Sequence, residues 1–211
     1  MNDARGAGSF WGFADNPDAF FNSRRDASRT LVLDASFLLA AIRPNHGEEV
    51  RGIFQKANQA DKILQTLQRD HGVSCAVTVT GVEECLFKIT QRACVAEARN
   101  REFDEPWERL YRNDHELRTK VLASLDSFLK DLRERKYYIL ELEEKARPSG
   151  VIEQFPLTSH MRFYMGECAL VSGDALVLAI AAKYNFWILV TMDRGFEQAR
   201  EKGFAILFPN Q

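Results

Sequence analysis

Short apolar segments alternate with longer segments of helical spacing from residue 30 to the end of the sequence. Neighbouring residues within the apolar segments are mostly hydrophobic, which is typical of strands buried on both faces of a sheet. The predicted strands are TLVLD (30–34), VSCAVTV (73–79), YYILEL (137–142), FWILVT (186–191) and FAILF (204–208). Strand–helix alternation of this kind predicts an α/β fold with a central parallel sheet flanked by helices.

The segments between these strands carry the spacing of helices. The predicted helices cover residues 35–42, 48–72, 80–136, 173–185 and 194–203. Gly72 and Gly203 stand where two of them would end, and Pro106 is expected to interrupt the longest. The helix GDALVLAIAAKYN is almost wholly apolar, so we expect it to be buried. A loop is predicted around Pro148, Ser149, Gly150 and Pro156.

Residues 1–29 form a predicted N-terminal arm that precedes the first strand. The arm is rich in Gly, Asn, Asp and Arg but carries five aromatic residues: Phe10, Trp11, Phe13, Phe20 and Phe21. We expect these rings to pack on the chain's own domain rather than to clamp a ligand.

The composition excludes several classes of protein. The net charge of -2 gives no basic field of the kind that coats DNA. The four cysteines show no CxxC pairing, so a zinc site is not expected: Cys75, Cys85, Cys94 and Cys168. The N-terminus lacks the apolar core of a signal peptide, and no apolar run reaches the ~18 residues that span a membrane. We therefore expect a cytoplasmic protein with reduced thiols and no membrane contact.

Carboxylates stand where the predicted strands end. Asp34 follows the first strand directly, and Asp193 follows FWILVT after two residues. Asp174 opens the buried helix, and Glu83 and Glu84 come just after VSCAVTV. Ligands of parallel sheets bind at the carboxyl ends of the strands. Acids crowded there would repel one another, and a hard divalent cation with oxygen ligands, Mg²⁺ or Mn²⁺, would relieve that repulsion.

Each acid also has a purely structural interpretation. Asp34 would serve as the N-cap of the next helix, and Asp193 suits a turn. Asp174 suits a helix N-terminus capped by Ser172. Thr80 and Glu83 have the spacing of a capping box.

Helical spacing favours Glu83 over Glu84 as the site residue. An apolar stripe runs along this helix: Val82, Leu86, Ile89 and Ala93. At roughly 100° per residue, Glu83 lies about 80° from the centre of that stripe and Glu84 about 180° from it. Glu84 also precedes Lys88 by four residues, which suits an exposed pair.

Four stretches together resemble one nuclease family: LVLDASFLLAAI, VTVTGVEECLF, SGDALVLAIAAKYNFWILVTMDRGF and FAILFP. In this order they resemble the PIN domain, the metal-dependent nuclease fold of VapC-type toxins and many RNA-processing enzymes. The resemblance covers roughly residues 30–95 and 137–209. It implies a PIN-like three-layer domain over residues 30–211 with strand order 3-2-1-4-5. The chain departs from the compact toxins in its arm and in a charged helical insertion at about 91–136, which we expect to be a solvated face.

The resemblance also implies a function and a set of site residues. It implies an endoribonuclease that binds one or two Mg²⁺ or Mn²⁺ ions through Asp34, Glu83, Asp174 and Asp193. Ser36 and Thr191 would orient ligands or water. A toxin of this family would have an antitoxin protein as partner, and homodimers are common in the family.

The anionic backbone of an RNA substrate calls for basic residues at the rim of the site. Arg194, directly beside Asp193, is the best placed. Weaker candidates are Arg43, Lys88, Arg92 and Arg162.

Two alternative functions compete with the nuclease. A haloacid-dehalogenase-type phosphatase would also begin with a strand-end Asp, but it needs a second acid two residues later. Position 36 is Ser, which disfavours that chemistry. A non-catalytic PIN-like module that binds RNA or protein is the other alternative. Metal dependence distinguishes it from the nuclease.

Overall fold

A computed structural model describes residues 9–24, 28–42, 51–104, 106–141 and 157–210 of the chain. Its strands are β1 (Thr30–Leu33), β2 (Ser74–Thr78), β3 (Tyr138–Leu140), β4 (Ile188–Val190) and β5 (Ala205–Leu207). Its α-helices are α1 (Phe10–Asp15), α2 (Pro17–Arg24), α3 (Ala35–Ile42), α4 (Arg51–Asp70), α5 (Val79–Asn100), α6 (Trp107–Asn113), α7 (His115–Glu134), α8 (Leu157–Glu167) and α9 (Ser172–Lys183). A 3₁₀ helix covers Arg194–Lys202.

The five strands form one all-parallel sheet in the order β3-β2-β1-β4-β5, so the predicted α/β class and strand order are confirmed. Every predicted strand is present, one to three residues shorter than its apolar segment. Side chains alternate along β1: Leu31 and Leu33 join the core on one face, while Val32 joins the core on the other. Burial on both faces explains why the strand residues are almost all apolar.

Helices cover both faces of the sheet. The first face is covered by α1 to α4, the first half of α5 and the end of α7. The second is covered by α8, α9 and the 3₁₀ helix. The chain leaves β1 toward β2 and leaves β4 toward β5, so the direction of winding reverses between β1 and β4. That reversal opens a crevice at the carboxyl ends of these two strands.

The aromatic residues of the N-terminal segment pack on the chain's own core. Phe10, Phe13 and Phe21 are buried in the same cluster as β1 and α3. Their rings meet edge to face, with centroids 5.8 Å apart for Phe13 and Phe21. Burying three such rings contributes several kcal/mol to folding, at about 2 kcal/mol each. The described part of this segment therefore belongs to the main core.

The predicted helix 80–136 is three helices rather than a helix broken once. The chain breaks between α5 and α6, next to Pro106, and again at Asp114, which caps α7 through a 2.8 Å bond from the Leu117 N–H. A small third core joins α5, α6 and α7: Cys94, Ala98, Leu110, Leu117 and Val121. Helix α5 runs without a break through position 91. The charged section at about 91–136 therefore begins within a helix of the main domain.

Some predictions differ from the structure or fall outside it. Helix α8 was not predicted, because exposed Phe163 and Met165 blur the apolar spacing of its buried face. The helix predicted over residues 194–203 is present and is of the 3₁₀ type, and Gly203 ends it as expected, with a φ of 96°. The predicted loop at Pro148 to Pro156 lies outside the described residues, as do residues 1–8, 43–50 and 142. Within the described residues, no helix combines the length and apolarity needed to cross a bilayer.

A buried ion pair ties α4 to the junction of α7 and β3. Asp61 is 1% exposed and accepts hydrogen bonds from Arg135 Nε at 3.0 Å, Gln65 Nε2 at 2.9 Å and Tyr137 OH at 2.6 Å. Both carboxylate oxygens are thus satisfied, as a buried charge requires. This network lies before β3 begins, at the amino edge of the sheet.

We expect Asp61→Ala to lower the free energy of unfolding by about 1–3 kcal/mol, because it leaves the buried Tyr137 hydroxyl without its acceptor and the partly buried Arg135 with only Asp131 as counter-charge. Tyr137→Phe removes one hydrogen bond and is expected to cost about 1–2 kcal/mol. Urea unfolding followed by circular dichroism measures both. The exposed Asp126→Ala is the control and should leave the midpoint unchanged. Equal midpoints for all variants would contradict the role assigned to Asp61.

Candidate functional site

Asp34 lies at the carboxyl end of the central strand and is 5% exposed. Its backbone N–H donates to the Val190 carbonyl at 3.0 Å, which continues the pairing of β1 with β4. Its side chain also caps α3, because Oδ2 accepts the Ser36 N–H at 3.1 Å. The helix-cap interpretation is therefore correct for Asp34, and the cap sits inside the crevice.

Two hydroxyls hold the same carboxylate oxygen. Thr191 Oγ1 donates to Asp34 Oδ2 at 2.9 Å, and Ser36 Oγ donates to it as well. These hydroxyls in turn accept backbone N–H groups, Met192 to Ser36 at 3.1 Å and Asp193 to Thr191 at 2.9 Å. The network orients Asp34 and joins it to the loop after β4. The three bonds from Ser36 and Thr191 to Asp34 all meet at Oδ2, so Oδ1 is the candidate contact for a ligand.

Asp174 and Asp193 lie within electrostatic range of Asp34. Asp174 sits in the first turn of α9, partly buried, and its pKa is raised to about 6. Burial is the main cause, followed by the charges of Asp34, Asp193 and Glu84. Asp193 is exposed and caps the 3₁₀ helix, accepting the Gly195 N–H at 2.7 Å. Three predicted site acids thus gather at one edge of the sheet.

The fourth carboxylate gathered there is Glu84. Burial raises its pKa first, and the charges of Asp34 and Asp193 raise it further, while the Lys88 ammonium opposes the rise. Glu84 also contributes to the raised pKa of Asp174. The structure therefore groups Glu84 with the other acids, whereas helical spacing favoured Glu83.

Cys85 explains why the spacing argument favoured the neighbouring residue. Cys85 is fully buried, and its Sγ donates to the Ala35 carbonyl at 3.8 Å. Gly81 is buried too, so the buried stripe of α5 is turned by roughly 50° toward Glu84. Counting Cys85 as an apolar position would have revealed this.

The capping box between Thr80 and Glu83 is not formed. Helix α5 begins earlier, at Val79, and Thr78 is its N-cap, accepting the Gly81 N–H at 3.0 Å. Glu83 is therefore beyond the first turn and, like Glu84, is exposed. For Asp174 the expected Ser172 cap is also absent, because Ser172 is itself the first residue of α9.

The donor set is made of oxygens and is short of positive charge. Burial raises the pKa of Asp34, although the hydrogen bonds from Ser36 and Thr191 oppose the rise. Across the described residues, none of the gathered acids forms a salt bridge, and no three acidic, His or Cys side chains form a ready-made coordination sphere. The negative charge of this edge can therefore attract a cation. The carboxylates would have to move closer together to coordinate it.

The basic residues predicted to contact the substrate differ in how far they are exposed. Arg194 is exposed directly after Asp193. Lys88 and Arg92 are partly buried on α5, and Arg162 is exposed on α8. Arg43 lies outside the described residues.

Comparison with models of protein families and with curated proteins found no match to this chain.

The raised pKa of Asp174 predicts that the metal-free protein loses stability as the pH rises. A carboxyl with a higher pKa in the folded than in the unfolded chain favours folding below the unfolded value of 3.8, and this contribution is lost as the pH rises through about 6. We expect the melting temperature in chelator to fall between about pH 4 and pH 6, and to fall less in Asp174→Asn. Asp126→Asn is the control, and an Asp174→Asn profile that matches wild type would contradict the assignment.

Proposed function

We propose that this protein is a metal-dependent nuclease of the PIN type that hydrolyses RNA phosphodiester bonds. One observation carries the proposal: four carboxylates gather at the carboxyl edge of a 3-2-1-4-5 parallel sheet, where the charges of Asp34 and Asp193 help to raise the pKa values of Asp174 and Glu84. Holding these charges together destabilises a metal-free protein. A site that concentrates uncompensated acids is suited to binding a hard cation.

The oxygen donors fit Mg²⁺ or Mn²⁺. Asp34 would hold the ion through Oδ1, with Asp174, Asp193 and Glu84 completing the site directly or through water. When bound, such an ion polarises a phosphoryl oxygen and lowers the pKa of a coordinated water, which can then attack phosphorus. Ser36 and Thr191 keep the Asp34 carboxylate in one orientation.

Other residues of the edge would handle protons and phosphate. With its pKa near 6, Asp174 carries a proton part of the time at neutral pH and would release it as a cation binds. Arg194 is exposed beside Asp193 and would contact a phosphate of the substrate. The four cysteines are buried and unpaired, which suits a reducing compartment such as the cytoplasm. The antitoxin partner and the homodimer stay predictions.

The first test is cleavage of a mixed, end-labelled RNA pool by the purified protein. We expect cuts with Mg²⁺ or Mn²⁺, none in chelator, and none with Asp34→Asn, because the buried ligand oxygen is replaced by an amide. Asp126→Asn is the matched control and should cut as wild type does. Metal-dependent cutting by Asp34→Asn would refute the proposal, and absence of cutting by wild type would favour the binding-module alternative.

The second test separates the two adjacent glutamates. We expect Glu84→Gln to reduce cleavage and Mn²⁺ affinity by at least about tenfold, while Glu83→Gln changes neither by more than about twofold. The two variants lose the same charge on the same helix, so each controls for the other. Mn²⁺ affinity is read from the rise in melting temperature on titration. A larger loss in Glu83→Gln would favour the choice made from helical spacing.

The third test concerns the hydroxyl network. Thr191→Val keeps the shape of the side chain but removes the hydrogen bond to Asp34. We expect it to lower metal affinity or cleavage by about 10–100-fold, as loss of a residue that orients a ligand usually does. Thr90→Val, outside the network, is the control. Unchanged affinity in Thr191→Val would show that Asp34 needs no such support.

A further inference from the structure

Helix α5 carries a row of cations that starts next to the acidic edge. Lys88, Arg92 and Arg99 lie within roughly 40° of one another around the helix axis, and Glu84 lies roughly 60° from the middle of the row. Along the axis, the distance from Glu84 to Arg99 is about 22 Å. We call these three residues the basic row.

No member of the basic row forms a salt bridge within the part of the chain that the structure describes, although Lys88 acts electrostatically on the neighbouring Glu84. By contrast, Arg101, the C-cap of the same helix, binds Glu97 at 2.7 Å. The row also borders the acidic edge. Lys88 opposes the rise in the Glu84 pKa that burial and Asp34 cause, and Arg92 acts in the same way on the buried Cys85 thiol. The positive charge is therefore available to an anionic partner that approaches the edge.

An exposed aromatic ring lies on the other side of Glu84. Phe87 is three residues after Glu84, as Lys88 is four, so both lie one turn beyond it. Phe87 is 51% exposed, and its ring meets Trp107 edge to face at 6.0 Å between centroids. Trp107 is itself packed against the third core, so Phe87 has a firmly held neighbour. A half-exposed Phe on a firm base offers a flat surface on which a base can stack.

We propose that this face of α5, formed by Phe87 and the basic row, binds single-stranded RNA and leads it to the acidic edge. This inference rests on the proposed function and specifies its substrate. Lys88, Arg92 and Arg99 would contact successive phosphates, and Phe87 would stack a base close to the phosphate that is cut. A duplex hides the faces of its bases, so the ring favours an unpaired strand. An acidic protein segment could bind the basic row, but it has no bases to stack on Phe87.

The test measures binding in the Asp34→Asn background, where the RNA is not cut. Fluorescence anisotropy follows a short labelled single strand at several salt concentrations. Replacing the row by Lys88→Gln, Arg92→Gln and Arg99→Gln should weaken binding and lower the slope of log affinity against log salt by about 2, because each lost phosphate contact contributes about 0.7. The control replaces Lys62, Lys130 and Arg133, three exposed cations on α4 and α7, by Gln. Equal slopes for the two triple variants would overturn the proposal.

Phe87→Leu tests stacking separately, because it keeps an apolar side chain and removes the ring. We expect about a tenfold loss of affinity for the single strand. The loss should vanish with an abasic RNA of the same length and with a duplex. The same loss with abasic RNA would overturn the assignment of Phe87.

These results are independent of the cleavage assay. If wild type cuts RNA but the row variant binds and cuts as before, this inference fails and the proposed function stands. If wild type cuts nothing while the row variant and Phe87→Leu lose binding as expected, the nuclease proposal fails and the RNA-binding face stands.

Discussion

The parallel pairing of β1 with β4 is the interaction on which the site depends. Leu33 pairs with Val190, and the next N–H along β1, that of Asp34, bonds the Val190 carbonyl. Asp34 and Thr191 consequently leave the sheet side by side, close enough for a direct hydrogen bond. Side chains alternate between the faces of a strand, so a shift of one residue would turn these groups to opposite sides.

Electrostatics then works against the stability of the same edge. Burial raises the pKa of Asp34, and partial desolvation together with the charges of Asp34 and Asp193 raises the pKa values of Glu84 and Asp174. The protein tolerates this loss of stability because the residues around the carboxyl edge of the sheet are firmly packed. At the opposite edge, the Asp61 network joins α4 to the junction of α7 and β3 with every oxygen satisfied. The contrast between a satisfied and an unsatisfied group of charges makes the carboxyl edge the candidate functional site.

Helix α5 links the acidic edge to the charged helical section. Its first turn is capped by Thr78, Glu84 faces the edge, and the residues beyond position 90 enter the third core with α6 and α7. One rigid element therefore sets the distance between the carboxylates, the exposed ring of Phe87 and the basic row. From the sequence, this charged section is expected to be a solvated face. It also carries Trp107, whose ring contacts the ring of Phe87.

The sequence alone determined the features that depend on residues close to one another in the chain. Apolar runs revealed the five strands, and the position of Asp34 after the first run revealed both its cap and its place at the edge. The strand order followed from resemblance to a family rather than from these local patterns, and the structure confirms it. Tertiary structure decided what depends on distant contacts. Glu84 rather than Glu83 joins the acids because Cys85 is buried against Ala35, 50 residues away in the chain. Phe87 meets Trp107 because α6 folds back on α5, and spacing within one helix carries no information about either contact.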